Sequence, residues 1–515
     1  MRARIQNWIF NAITTLNAAA VGAVFIAAAI WPASAHAAGS WWKDAVFYEI
    51  FVRSFQDTNG DGAGDIKGIT SRLGYLSDLG VNALWLTPIF NSPSYHGYDA
   101  TDYKSINPDF GSLDDFKEMV AAAHQRGLRV VLDLAINHTS IKHPWFKANH
   151  DWYCWRNTVP AWPDPLRWHH LGSEYYYAFF SPSLPDLNWK NPEVVAEMKS
   201  TLHYWSELGV DGFRLDAARY YVEGPNGEFD TPETHAAIRD FVKSVKADFP
   251  TAMFVGEIWA SSEVISSYVN SGDELDLAFN FPVAGGLLGA LQSGTAEKFN
   301  DALEGSVEWV QDQARLAPFI TNHDQVRAAT TLGGSLAKLR VAATALLTLP
   351  GTPFLYYGEE IGLPEGTDPS DLGKRTPMQW TAAAEHGFTT AVKPWNEFSS
   401  ALLSVESQFG VKGTLLNYYQ QLISRRKAQP ILRDGSFALL ATGNTRVAAY
   451  TRTLEGRTAV VLLNFGNVPA RNIVLHIPGV GAKTKASMLW GKVDFRNSTV
   501  KLLQPTTAAI VLLEN

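Results

Sequence analysis

Three carboxylates stand at the ends of three different apolar runs in this sequence. Asp216 closes the run in "GFRLDAARY", Glu257 the run in "GEIW", and Asp324 the run in "FITNHD". In a strand, side chains alternate faces, so Arg214 and Asp216 point the same way. A guanidinium beside a carboxylate favours its ionised form. Glu257 lies among apolar residues, followed by Ile258 and Trp259, where burial near other negative groups raises a carboxyl's pKa. One ionised and one protonated carboxyl group can attack a carbon and donate a proton in the same step.

These acids need elements that bring them together. From about Trp41 to Leu432, apolar runs alternate with amphipathic stretches such as "SLDDFKEMVAAAHQRG" and "PEVVAEMKSTLHYWSELG". The runs are "AVFYEIFV", "VNALWLTP", "LRVVLDLAINH", "GVDGFRLD", "AMFVGEIW", "LDLAFNF", "LAPFITNHD" and "GTPFLYYG". Eight such units predict a parallel (β/α)8 TIM barrel, and continuous apolar runs match strands buried on both faces. Active sites of such barrels form at the C-terminal ends of the strands. Asp216, Glu257 and Asp324 close the fourth, fifth and seventh runs, so all three are expected at one mouth; the third run ends in Asp133, Asn137 and His138. A single strand-end acid often caps a helix or pairs with Arg. Three at one end, without a thiolate or clustered His ligands, suit glycosidic bond cleavage through an oxocarbenium-like transition state. On that reading Asp216 is the nucleophile and Glu257 the acid/base.

The spacing also predicts the organisation. Residues 1–38 read as a signal peptide, with "MRAR", an apolar core and "ASAHAA", and cleavage after Ala35 or Ala37. Residues 39–138 form the first part of the barrel, domain A. A Trp-, Pro- and His-rich excursion over 139–190 is too long for a plain loop and reads as an inserted domain B. The barrel resumes over 191–432. From 433 to 515 the texture becomes short strands with Gly, Asn and Pro turns, a C-terminal antiparallel β-sandwich domain C.

The 515 residues are 46% hydrophobic and 18% charged, an ordinary globular composition. A net charge of −8 and the lack of any basic run argue against a phosphate-binding surface, so no nucleic-acid partner is expected. The 17 Trp, 18 Tyr and 27 Phe offer flat apolar faces of the kind sugar rings stack on. Cys154 is the only cysteine, which rules out an intramolecular disulfide. The product is expected to be secreted or periplasmic, monomeric and free of stable membrane association once the signal is removed.

In "DTNGDGAGD", Asp57, Asn59, Asp61 and Asp65 alternate, with the Ala63 carbonyl among them. Oxygen ligands at this spacing suit a structural Ca²⁺. The loop begins like an EF-hand, but its twelfth position is Gly68 rather than Glu.

In order, "DLAINH", "GFRLDAAR", "GEIW" and "FITNHD" resemble the four characteristic regions of the α-amylase family of retaining glycoside hydrolases. "GVNALWLTP", "LPDLN" and "GTPFLYYGEEIG" resemble further family regions. The resemblance implies Asp216 as nucleophile, Glu257 as acid/base and Asp324 as the third acid, stabilising the transition state. It implies Tyr98, His138, Arg214 and His323 as residues holding the reacting sugar. It supports Ca²⁺ in the first barrel loop and raises a second Ca²⁺ site near Asn137. "LPDLN" and "RTPMQW" resemble the branch between oligo-1,6-glucosidases and neopullulanases. Tyr95 and His96 stand where glucosidases of that branch carry acidic residues, and Ala217 stands where Val accompanies α-1,6 preference. Both differences imply internal α-1,4 cleavage of starch and maltooligosaccharides. The alternatives are an α-glucosidase or neopullulanase, a transglycosylase or isomerase such as a trehalose synthase, and a non-catalytic relative.

Overall fold

The computed structural model describes residues 40–514 except 162–163, 225–226, 401–402 and 481–483. The expected signal peptide lies outside the described residues. Eight parallel strands follow the predicted runs: β1 Phe47–Ile50, β2 Ala83–Leu86, β3 Arg129–Leu134, β4 Gly212–Leu215, β5 Met253–Gly256, β6 Leu277–Phe279, β7 Leu316–Ala317 and β8 Phe354–Tyr356. They pair in sequence order, and β8 pairs with β1. A parallel bridge between Phe319 and Phe354, with the Phe354 N–H donating to Pro318 O at 2.9 Å, joins β7 to β8 and closes the barrel.

The period of two along each strand sorts the barrel interior into layers. Phe47, Val131 and Val255 belong to an apolar layer with Trp85, Phe279 and Phe354. Two residues further along come Glu49 and Asp133 within their strands and Glu257 just past the end of β5, while Gly212 of β4 is followed by Arg214. Filling the lower barrel with rings thus leaves the charged groups at the C-terminal mouth. The opposite strand faces pack against the surrounding helices, among them Ile66–Leu79, Leu113–Gln125 and Pro192–Glu207. Asp65 caps the first of these, its side chain accepting from the Gly68 N–H.

After β3 the chain leaves the barrel. The excursion forms a short helix, Pro144–Ala148, and a small antiparallel sheet of Trp155–Arg156, Glu174–Tyr177 and Trp168–Leu171. Its return places Asp186 opposite His138 as an isolated antiparallel bridge, which ties the excursion to the barrel mouth.

The C-terminal strands form two sheets. The larger orders Ser436–Leu440, Val447–Leu454, Arg457–Asn464, Thr507–Glu514 and Lys485–Gly491; the smaller holds Ala470–Val474, Thr499–Leu503 and Asp494–Arg496. Alternation decides their packing. Val447, Ala449, Val460, Leu462 and Val511 face the smaller sheet, whereas Ala448, Tyr450, Val461, Leu463 and Ile510 join the barrel's helical core. Two buried arginines hold this junction. Arg426 donates to the carbonyls of Leu347, Leu432 and Gly351, and Arg452 to those of Thr348, Leu432 and Gly435.

Candidate active site

The backbone ladder carries the acids to a common level. The N–H of Asp216 donates to Leu134 O at 3.2 Å and that of Glu257 to Leu215 O at 3.0 Å, each just beyond its strand. Buried Arg214 then gathers three carboxylates. Its Nη1 donates to Asp133 Oδ1 at 2.8 Å and Asp216 Oδ1 at 2.6 Å, and its Nη2 pairs with Glu257 Oε2 at 2.8 Å. Ala217 turns sharply after Asp216, with φ 47°, and its N–H donates to Glu257 Oε2 at 3.0 Å. A β-branched residue is poorly tolerated in that left-handed conformation.

A second group of charges holds Asp324. His323 Nε2 lies 3.1 Å from its Oδ2, Arg375 Nη2 lies 2.9 Å from its Oδ1, and Lys374 Nζ donates to its carbonyl at 2.9 Å. His323 Nδ1 in turn pairs with Glu49 Oε1 at 2.5 Å. The Tyr98 hydroxyl links the two groups, donating to Asp133 Oδ2 at 2.9 Å and lying 2.6 Å from His323 Nε2, while its ring stacks on the imidazole. Tyr98, His138, Asp216, Glu257 and Asp324 all line one cleft of about 460 Å³. The structure therefore brings together every catalytic and sugar-binding residue expected from the sequence.

Electrostatics differ from the expectation in one respect. Burial pushes Asp216 up to about 6 despite Arg214, with Asp133 and Asp324 adding to the rise. Burial likewise pushes Glu257 up to about 6, against Arg214 and with Asp216 and Asp324. The expected opposition, Asp216 low and Glu257 high, is absent. One guanidinium is shared among three carboxylates, so its charge does not offset the burial of all of them, and both acids stand above the ordinary carboxylate range. Asp324 is the acid held low: burial opposes its charge, but His323 and Arg375 keep it well below the usual carboxylate range. Burial would lower His323, yet Asp324 and Glu49 hold it at about 10.

This arrangement sets the expected pH dependence. A form with one proton on the Asp216–Glu257 pair is most populated near pH 6, so kcat/KM should trace a bell centred near pH 6. Both folded values lie above the unfolded ones, so the folded state binds protons more tightly. Their contribution to stability is complete below about pH 4 and is lost as pH rises through 6. Initial rates on a maltooligosaccharide across pH 4 to 9 check the bell; a plateau extending above pH 8 would contradict these raised values.

Several residues at the cleft were not singled out from the sequence. Glu49 sits inside an apolar strand, the same signal that identified Arg214, and could have been found by it. Arg375 lies within the quoted "RTPMQW", but nothing local indicates that it reaches Asp324 across 51 residues. Arg219 pairs with Asp230 at 2.5 Å and donates to Trp259 O at 2.7 Å, bracing the segment just after Glu257. Phe180 and Trp259 line the cleft and are 45% and 52% exposed, with one face of Trp259 stacked on Phe281; they supply the apolar surface that the aromatic content foretold.

The acidic loop is built on its own amides. Asp57 accepts from the N–H groups of Asn59, Gly60 and Gly62 and from the Thr389 hydroxyl. Asn59 accepts from the Asp61 N–H, Asp61 from that of Ala63, and Asp65 from those of Thr58 and Gly68. Gly62, with φ 94°, is required there, since a Cβ would meet Lys393 O at 2.6 Å. Among the described residues no three His, Cys, Asp or Glu side chains stand close enough to share an ion. The donor chemistry, three carboxylates with an amide and a main-chain carbonyl, remains that of a hard cation. Near Asn137, by contrast, buried Asn137 Oδ1 and Asp186 Oδ2 have no hydrogen-bond partner, and burial with nearby Glu223 holds Asp186 well above its ordinary range.

Comparison with known proteins places this geometry. The α-amylase catalytic-domain family model matches residues 49–435. α-Amylase 3 of Dictyoglomus thermophilum is 35% identical over 447 residues, covering 83% of this chain and 86% of that protein. The trehalose synthase/amylase of Mycobacterium tuberculosis is 32% identical over 500 residues, covering 83% and 82%. The crystal structure of α-amylase from H. orenii superposes with a TM-score of 0.81 at 35% identity, over 92% of this chain and all of that one. A closed eight-stranded barrel with carboxylates at its mouth, matched along most of its length, thus identifies the chain as a member of the α-amylase catalytic-domain family of glycoside hydrolases and transglycosylases.

Proposed function

We propose that this enzyme hydrolyses internal α-1,4-glucosidic bonds of starch and maltooligosaccharides with retention of configuration. The observation that carries the reading is the Asp216–Glu257 pair, sharing Arg214 at the floor of the cleft. Asp216 attacks the anomeric carbon while Glu257 gives its proton to the departing glycosidic oxygen, leaving a glycosyl ester on Asp216. Water then loses a proton to Glu257 and its oxygen bonds the anomeric carbon, releasing Asp216. Asp324, kept ionised, accepts hydrogen bonds from sugar hydroxyls as the ring flattens. Tyr98, His138, Arg214 and His323 frame the reacting sugar.

The internal-cleavage part rests on Tyr95 and His96. Tyr95 accepts a hydrogen bond from Arg375 Nη1 at 3.1 Å, so this rim of the cleft carries a neutral ring where an acidic side chain would close a pocket around a free sugar end. The similarity to a trehalose synthase/amylase keeps a second reading, in which a sugar hydroxyl rather than water takes the glycosyl group. Incubation with starch, pullulan and maltose, followed by separation of products, decides between them. Rapid shortening of starch with a spread of maltooligosaccharides is expected. Release of glucose alone from maltotriose with starch left long, or conversion of maltose to an isomer, would overturn it.

We further infer structural Ca²⁺ in the first barrel loop, held by Asp57, Asn59, Asp61, Ala63 and Asp65. A second site at Asn137 and Asp186 draws support from their two unsatisfied oxygens. Bound Ca²⁺ would supply positive charge that cross-links loop segments, with no part in the chemical steps. At free Ca²⁺ of 100 times Kd, mass action contributes about 2.7 kcal/mol of stability. Chelation should therefore lower Tm by several degrees, restored by added Ca²⁺; an unchanged Tm in calorimetry would leave both sites unsupported. The N-terminal charge, apolar core and small residues favour export to the periplasm or medium, which N-terminal sequencing of the mature protein tests.

A further inference from the structure

Away from the cleft, a groove of about 330 Å³ lies where the barrel meets the C-terminal sheet. Its walls come from helix Leu415–Ala428, helix Leu336–Thr348 and strand Lys485–Gly491. None of its lining residues lines the cleft.

Two rings form one wall. Trp490 and Tyr418 meet edge to face, with centroids 5.0 Å apart, and the indole Nε1 donates to the Tyr418 hydroxyl at 2.9 Å. That hydroxyl also lies 2.7 Å from Thr344 Oγ1, so the pair is anchored to the barrel helix and is set before any ligand arrives. The Arg340 guanidinium lies over the Tyr418 ring, 5.4 Å from its centroid, and its Nη2 donates to Gly413 O at the groove wall. Gln421 Nε2 donates to Asn417 Oδ1 at 2.6 Å. This fixes both amides while leaving the Asn417 N–H donors and the Gln421 carbonyl free to bond. Lys412 completes the rim, and no carboxylate lines the groove.

The combination selects a chemistry. A divalent cation needs carboxylates, which are missing. An inorganic anion would use the basic groups, but gains nothing from an indole and a phenol. A chain of pyranose rings uses all of it: its apolar C–H face lies on a ring, and its hydroxyls meet amides and a guanidinium at the edges. The larger groove on helix Pro232–Asp248 makes the contrast, being lined by charged pairs such as Arg239 with Glu274 and by no aromatic ring.

We propose that this groove is a second, non-catalytic binding site for α-glucan chains, tethering polymer to the enzyme while another segment occupies the cleft. The proposal rests on the glucan-directed reading of the active site. Polymer affinity should then exceed that for short chains, because the second contact becomes intramolecular.

Calorimetric titration of Asp216→Asn with maltoheptaose is expected to reveal two binding events per chain, and the Asp216→Asn/Trp490→Ala protein one. Asn417→Ala/Gln421→Ala, which keeps the rings and alters two partly exposed side chains, should weaken the second event about tenfold. In the active enzyme, Trp490→Ala should raise the apparent KM for soluble starch while leaving kcat/KM on maltotriose within about twofold, since no cleft contact changes. A single binding event with or without Trp490, or a second event indifferent to both sets of substitutions, overturns the proposal. If the wild-type chain cleaves no α-glucan yet the Trp490-dependent event persists, the functional reading falls and the groove stands.

Discussion

Asp216→Asn is expected to cut turnover of maltooligosaccharides by roughly 10⁴-fold or more while leaving the folded state intact. Asparagine keeps the shape of the side chain, but its amide does not form the glycosyl ester on which the two-step reaction depends. Stability should not suffer, and the reason lies in the charge balance around Arg214. Burial already pushes Asp216 up to about 6, so the ionised carboxylate is not a comfortable group there. Replacing it with a neutral amide removes one of three acids competing for one guanidinium. Circular dichroism melts should therefore give a Tm equal to or slightly above that of the wild type. The remaining acid, Glu257, loses a negative neighbour, and its pKa should fall toward the ordinary carboxylate range. Appreciable turnover in this variant would remove Asp216 from the nucleophile's role.

Arg214 carries the second large effect, on stability as well as activity. Arg214→Leu would strand Asp133, Asp216 and Glu257 in a buried mouth without their shared partner. Breaking a buried ion pair by removing one partner costs about 3–5 kcal/mol. We expect poor yield or a Tm lowered by many degrees, with no measurable activity. Arg214→Lys separates charge from geometry. A lysine ammonium keeps the positive charge but lacks the planar fork that reaches two acids from Nη1 and a third from Nη2. That variant should fold yet lose about 10²–10³ in kcat, the scale for removing one preorganised interaction at a reacting centre. If Arg214→Lys retained full activity, the bridging of Asp216 and Glu257 would not matter to the chemistry.

Much of the fold was legible along the chain because burial leaves a local trace. Strands buried on both faces are largely apolar, and all eight barrel runs carry that mark, interrupted by site groups such as Glu49, Asp133 and Arg214. The C-terminal strands were legible where they alternate against two cores, as in "RVAAYTRT" and "TAVVLLNFG". Lys485–Gly491 leaves no such trace, because its side chains are largely exposed and carry no alternation. Asp494–Arg496 is too short and polar to stand out from a turn, and Thr499–Leu503 is a five-residue strand interrupted by Lys501. The excursion after β3 was recognised by its length, but its small sheet, with mixed exposure, left no periodic signal.

Arg214 with Asp216 and the carboxylates closing their strands were settled by the sequence alone, since strand period and barrel topology dictate which end and which face each occupies. What only the tertiary structure decided is who shares whom. Glu49 meets His323 across 274 residues, Arg375 reaches back 51 residues to Asp324, and one guanidinium divides itself among three acids. Such partnerships depend on where distant strands end in space, and a pKa follows from the sum of all charges around a buried group. No local spacing encodes that sum, which is why the expected contrast between Asp216 and Glu257 gave way to a pair that burial raises together.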